Sequence, residues 1–536
     1  RHRRYRREKI MRPTFLAFQT ASRALAASQA NIDVTGNNIA NVNTDGYTRQ
    51  RVDLTSISNS GYTQKYTVKG VSVGMGVDVN NVSQIRDPFL DARYRAQAAE
   101  TGQFDTLLEG LADLENVFDE AENEKLQSEI TNFINQLQTL SQSPTSQDLA
   151  LVVRTSAHKI TEMLNVYADQ TQDVRNQQIY DLSKVVIDTD FNTIVKNIAH
   201  LNTQIREELT HGNTPNELYD KRNTLIDKLS SIVNIKVTTT PEKISEDLMI
   251  ENLNISIYDQ NTNTSIGIVQ NGLYNTLTAS MNADNEVEIS ISSSFGTFHG
   301  EITRHFTGGS IKGYLDLING RGTYADLSAA SNDNTFRGTL YYEQAMNTFA
   351  ANFAKVLNDI NALAGTDRKP LFMALGDDDP VNTPDPITAA NITISTGWLE
   401  DATYITTTTS TSPIQTGGGD NILRMINALT NDMNFYRDAA DDTSQIMFHG
   451  TVNEYMTGLI GELALDVELH DNFSETANTV LNNLYASRES MSGVSLDEEG
   501  INLMAFQKSY NAAARYFNVL DEAVDRIING MGLVGR

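Results

Sequence analysis

Gly308-Gly309-Ser310-Ile311-Lys312-Gly313 has the glycine density of a loop that cradles phosphate. Tyr314 follows Gly313 where such a loop requires Lys-Ser/Thr, so the cradle lacks its charge and its metal ligand. The same stretch fails as a serine nucleophile elbow, because Lys312 occupies the place of the closing glycine. None of the eight His falls in an HExxH pattern. Asp377-Asp378-Asp379 concentrates charge as calcium requires, but without the spaced ligands and closing Glu of an EF-hand loop, and reads as a solvated loop. Paired carboxylates for glycoside hydrolysis are a matter of separation in space, and nothing in the sequence marks such a pair. Cysteine is absent, which excludes disulfides, thiolate metal sites and a cysteine nucleophile. The expectation is a protein with no catalytic residue, no metal site and no cofactor.

The elements that would carry any site are ample. A chain of 536 residues, 40% of them apolar, suffices for roughly three or four domains. Net charge is −27 although the first ten residues hold six Lys/Arg against one Glu, so the body is acidic and repels nucleic acid and anionic lipid. Everything patterned begins after Met11, and residues 1–10 read as a basic extension outside the native structure. No apolar run approaches eighteen residues, so no membrane insertion is expected. The basic start is not followed by an apolar core and cleavage site, so an exported protein would need a route without a cleaved signal peptide.

Both ends carry helical seams. From Met11 to Val42, Phe18, Ala21, Leu25, Ser28, Ile32, Thr35, Ile39 and Val42 recur three and four apart. At the other end Leu503, Phe506, Tyr510, Ala513, Phe517, Leu520, Val524, Ile527 and Met531 form an unbroken seam from Leu496 onward. Ser495 and Glu498 match a capping box at its start, and Gly530, Gly532 and Gly535 mark its end. After the first seam come Asn37, Asn38, Ile39, Asn41, Asn43, Asp45, Gly46 and Tyr47, in which Asp45-Gly46 signals a turn and the Asn side chains can cap the helix end.

The stretch Gly36 to Tyr47 resembles the N-terminal signature of the bacterial flagellar rod, hook and hook-associated axial proteins, close to NNIANxxTxGY. Ser492-Gly493-Val494-Ser495-Leu496-Asp497-Glu498-Glu499 and Phe506-Gln507-Lys508-Ser509-Tyr510-Asn511-Ala512-Ala513-Ala514-Arg515 resemble the matching C-terminal signature. Gly500 departs from it, standing where helix-favouring Ala is usual. The SGVxLDEE form, the length and the continuation Tyr47-Thr48-Arg49-Gln50 point to a hook-associated member next to the hook. What the resemblance implies is a structural subunit that joins hook to filament by self-assembly. It implies assembly residues Asn37, Asn38, Ile39, Asn41, Asn43, Gly46 and Tyr47 at one end, and Leu503, Phe506, Tyr510, Phe517, Leu520, Val524 and Ile527 at the other. The implied partners are further copies of the chain, the hook protein, a second hook-associated protein, and a cytoplasmic export chaperone on the C-terminal helix. The terminal helices would stay weakly paired or disordered until neighbours complete them. Another hook or rod protein, or a surface adhesin or carbohydrate-binding protein using its β domain, stays open as an alternative.

The expected fold is multidomain α+β, with paired terminal helices at the base and antiparallel β structure inserted in the middle. Residues 11–86 with 492–536 would form the terminal domain, helical with a β hairpin whose strand alternates through Val71, Val73, Met75, Val77 and Val79. Residues 87–231, 321–376 and 421–491 would form a helical bundle, in which Asp87-Pro88 opens a helix and further helices run at about 123–142, 146–188 and 190–211. A motif from Gly212 to Arg222 restarts a helix, with Asp220 and Arg222 expected as a solvated pair. Residues 232–320 alternate as an antiparallel β domain, and 377–420 would be a small β or irregular insert.

Overall fold

A computed structural model describes residues 14–57, 74–119, 126–243, 249–259, 262–296, 299–326, 334–362, 369–377, 384–410 and 417–530. The basic segment 1–10, Val71, Val73, Asp378, Asp379, Met531, Gly532 and Gly535 lie outside these residues.

The chain opens with α1 (Thr14–Ala40), followed by the antiparallel pair β1 (Gln50–Ser56) and β2 (Val77–Gln84). Of the strand expected from Val71, the described residues form strand from Val77 onward, Met75 lying just before it. Helix α2 (Pro88–Asp119) starts as the Asp-Pro signal requires, with Asp87 accepting the Phe89 amide at 2.9 Å. Then come α3 (Leu126–Gln142) and α4 (Gln147–Tyr180), whose N-cap Ser146 accepts from the Leu149 amide. The break expected near 188–190 is absent. Instead a π-helical stretch, Asp181–Phe191, runs without interruption into α5 (Asn192–Thr210). Its wider turn lets the Thr189 hydroxyl donate to the Lys184 carbonyl five residues back, so the Asp188-Thr189-Asp190 sequence is absorbed as a change of register. Helix α6 (Asn216–Ile232) restarts after the Gly212 turn.

Among the described residues, the β region holds two antiparallel sheets. One is β3 (Ile235–Lys243), β4 (Met249–Asp259), β5 (Thr264–Gln270) and β6 (Leu273–Tyr274); the other is β7 (Thr276–Met281), β8 (Val287–Ser292) and β9 (Gly300–Glu301). Alternation buries Leu253, Ile255 and Ile257 on β4 and Val287, Ile289 and Ile291 on β8. The β domain expected to reach 320 ends earlier, because Ser310–Asn319 is a helix, α7, packed against α2. The Gly308-Gly309 pair that resembled a phosphate loop serves this packing. Gly309 has φ +87° and donates to the Ala99 carbonyl at 2.8 Å, and a Cβ there would lie 2.3 Å from the Ile232 carbonyl oxygen.

Helix α8 (Thr339–Ala362) leads to β10 (Phe372–Ala374), which pairs with β11 (Ile392–Ile394), then α9 (Thr396–Glu400) and α10 (Asp420–Thr430). The insert expected over 377–420 is not a separate unit among the described residues. Ala389, Ile392, Ile394, Trp398, Ala402 and Ile405 are buried in the same core as α3, α4 and α8, since a short irregular segment cannot bury such apolar area on its own. Asp377 is buried rather than solvated and accepts the Asp385 amide at 3.0 Å. A hairpin not anticipated in the helical bundle, β12 (Met433–Tyr436) with β13 (Ile446–Gly450), brings Phe435 against Tyr455 with ring centroids 4.6 Å apart. A capping box of Thr451 and Glu454 starts α11 (Val452–Ser492), which lies along α2 and leads into α12 (Leu496–Gly530), which lies along α1.

Two cores result. The first gathers Leu111, Phe133, Leu164, Phe349, Phe353 and Trp398; the second gathers Phe191, Ile198, Leu229, Ile257, Ile289 and Ile311. Among the described residues, no helix is long and apolar enough to cross a membrane.

Candidate assembly junction

Asn38, near the end of α1, is 1% exposed and uses both amide hydrogens and its carbonyl oxygen twice. Its Nδ2 donates to the Gln50 carbonyl (2.9 Å) and to Glu499 Oε2 (3.1 Å); its Oδ1 accepts from the Tyr47 hydroxyl (2.8 Å) and the Gln50 amide (3.0 Å). One side chain thereby closes the Asn-rich loop, fixes the first residue of β1 and grips the start of α12. Glu499, 2% exposed, also accepts from Arg49 Nε (2.9 Å) and Nη2 (2.6 Å), while Arg49 Nη1 holds Glu498 at 2.8 Å. The Arg49 amide donates to the Ser492 carbonyl at 2.9 Å. The capping box read at Ser495 is altered accordingly: Ser495 Oγ accepts the Glu498 amide at 3.5 Å, but the Glu498 carboxylate is engaged by Arg49.

The other motif residues shape the loop. Asn41 donates from Nδ2 to the Asn37 carbonyl (3.0 Å) and to Asn37 Oδ1 (2.9 Å), and Asn37 Nδ2 donates to the Tyr47 oxygen (3.3 Å). Gly46 has φ +73°, and a Cβ would stand 2.3 Å from Thr224 Oγ1, so both conformation and space require glycine. Ile39 is half-buried and Asn43 exposed. Burial, then the charges of Asp220, Glu499 and Glu217, push the Tyr47 hydroxyl up to about 12.

Asp220 and Arg222 do not form the expected solvated pair. Both are buried, and they serve different elements. Asp220 accepts from the Thr48 amide (3.3 Å) and Gln84 Nε2 (2.8 Å), tying α6 to the terminal loop and hairpin; burial raises its pKa against those bonds. Arg222 donates to Asn202 Oδ1 at 3.0 Å and lies over the Tyr219 ring. Beside this joint lies a cavity of about 430 Å³ lined by Tyr47, Thr101, Asp227, Tyr485 and Arg488, among others.

The two seams face each other within one chain. Ala21, Ser28 and Thr35 are buried, Phe18 meets Phe517 edge-on with centroids 5.2 Å apart, and Ser28 Oγ lies 3.3 Å from Ser509 Oγ. Leu503, Phe506, Phe517, Leu520 and Val524 are half-buried, whereas Tyr510 and Ile527 remain exposed. On the opposite side of α12, Ile501 (64% exposed), Met504, Tyr516 and Val519 (62%) are open, flanked by Lys508 and Arg515. The spacing of the sequence predicts a capping role for Glu498 and no role for Arg49, Gln50 or Glu499; a cation after the first motif and adjacent acids in the second are the available sign that they meet.

Residues 111–370 match the model of the flagellar hook-associated protein FlgK helical domain, and residues 18–48 that of the flagella basal body rod protein. The chain is 32% identical to flagellar hook-associated protein 1 of Bacillus subtilis, over 98% of this chain and 100% of that one. It is 23% identical to flagellar hook-associated protein 1 of Salmonella typhimurium, over 95% and 98%. The structure of the flagellar hook junction protein FlgK from Burkholderia pseudomallei is similar in fold, with a TM-score of 0.55, 13% identity and coverage of 74% of this chain and 100% of that one. With a full-length relative at that identity and a helical body, small antiparallel sheets and paired ends arranged as above, the chain belongs to the flagellar hook-associated protein 1 family.

Proposed function

We propose that this chain is a structural subunit of the bacterial flagellum that joins hook to filament, and that it does so by assembling through its terminal helix pair. The observation that carries this reading is the unsatisfied outer face of α12. A helix already paired with α1 on one side still presents Ile501, Met504, Tyr516 and Val519 to solvent on the other. In a free subunit that exposure is unfavourable by the apolar area involved, and a neighbouring copy would cover it. Head-to-tail contacts repeated by rotation and rise build a ring or tube from identical subunits.

The partners in this reading are further copies of the chain, the hook protein, a second hook-associated protein on the far side, and a cytoplasmic chaperone on the C-terminal helix before export; the relatives' hook-associated names support the hook contact. The role is structural, with no catalysis and no cofactor. Electron microscopy of a deletion strain tests the reading: hooks without filaments are expected. Filaments of normal length on that strain would overturn it.

A further inference from the structure

The turn between β7 and β8 is gripped from outside by three side chains. It folds on itself through Asn282, whose Oδ1 accepts the amides of Asp284 (3.0 Å) and Glu286 (2.9 Å), and Asn285 takes φ +62°, a left-handed conformation uncommon outside glycine. Arg175, near the end of α4, donates from Nη2 to the Asn285 carbonyl and from Nε to the Ile318 carbonyl at 3.3 Å. Asn319, at the end of α7, exchanges two hydrogen bonds with Val287, each 2.8 Å. Arg321 donates to Glu286 Oε1 at 2.8 Å and to the Asp284 carbonyl at 3.0 Å.

The placement is specific. Arg175 is 1% exposed, and its Nη1 has no hydrogen-bond partner among the described residues. Burial disfavours its charge and holds its pKa below the usual value, Glu343 on α8 favours the charge at longer range, and Arg321 opposes it. A guanidinium buried with carbonyl partners is costly unless a geometry must be held. That geometry is the seam between the two cores: Leu317 packs into the first, and Ile318, the next residue of α7, into the second. We infer that the Asn282–Val287 turn is a clamp fixing the β7–β8–β9 sheet on the helical body, with Arg175 as its pin. The sheet, whose Val287, Ile289 and Ile291 belong to the second core, is thereby tied to α4 of the first.

Arg175→Met keeps the length of the side chain and removes its donors; Arg321→Met does the same for the second grip. Hydrogen exchange on the full chain is the readout. In either variant, exchange across β7 and β8 should rise by about tenfold or more, as loss of anchoring hydrogen bonds predicts, while α3 and α8 keep their protection. Uniform acceleration in both units would show that Arg175 merely stabilises the whole fold, and unchanged protection of β7 and β8 would show that the turn holds without it. Both overturn the clamp. Should Arg175→Met fail to fold, Arg321→Met decides by the same comparison, because that residue lies on the rim of the clamp.

Discussion

Asn38 Nδ2 lies 3.1 Å from Glu499 Oε2, joining residues 461 positions apart in the chain. The bond puts a neutral amide, fully used, against a buried carboxylate that also holds Arg49. Replacing Asn38 by Ala strands the Glu499 oxygen and both backbone groups of Gln50, and should cost about 2–4 kcal/mol. Asn38→Asp should be worse, because it sets two carboxylates together. Thermal unfolding of the two variants beside the parent checks the order; equal stability of Asn38→Asp and the parent would show that the two termini do not meet here.

Gly46→Ala meets two separate obstacles, the left-handed backbone and Thr224 Oγ1. It should destabilise by about 1–2 kcal/mol from conformation, with the collision added. Thr224→Ala in the same chain should recover the collision and leave the conformational part. A double-mutant cycle measures that recovery, and complete rescue would mean that the backbone at Gly46 is relaxed.

Phe517 and Val519 sit two residues apart on opposite sides of α12. Phe517→Asp should lower the stability of the isolated subunit by about 2–3 kcal/mol, because Phe517 packs against Phe18 in the same chain. Val519→Asp should change monomer stability by no more than about 0.5 kcal/mol and still abolish filament attachment. Thermal melts and a motility assay separate the two. If Val519→Asp swims normally, the outer stripe is not the face that neighbours cover.

Tyr47 gives a pH signature. Its hydroxyl is pushed from an ordinary 10 up to about 12 in the folded chain. Between those values the native state holds a proton that the unfolded state has released, so stability falls as pH rises through the window. Tyr47→Phe should cost about 1 kcal/mol at neutral pH from the lost bond to Asn38. It should also flatten the alkaline decline between pH 10 and 12. Denaturant midpoints at pH 8 and 11 measure both; an unchanged slope would place the alkaline loss elsewhere.

The sequence disclosed the helices where periodicity and end signals coincided. Asp87-Pro88 marked the start of α2, and the paired seams of α1 and α12 were visible as spacing. It did not disclose which partner each seam has, since a heptad pattern is the same whether its complement lies in the same chain or the next. Phe517 of the seam meets Phe18 of α1 within the chain while Tyr510 and Ile527 stay exposed, and Lys508 and Arg515 interrupt the outer apolar stripe in the sequence. The π-helical stretch had no signal, because Asp188-Thr189-Asp190 reads equally as a break or a register change. Asp220 looked like any surface acid; only the docking of Thr48 and Gln84 from a distant segment makes it buried. Trp398 lay in an irregular-looking stretch, and its place in the first core depends on α4 and α8 closing over it.

The contact between Arg49 and Ser492 has a consequence for timing. A chain synthesised from its N-terminus presents the Asn-rich loop early and Glu499 late. The loop's principal acceptor therefore does not exist in the same space until almost the entire polypeptide has emerged. Closure across so long a separation is slow relative to local helix formation. The middle of the chain has time to fold while the two segments remain apart, and the junction closes after the body that separates them.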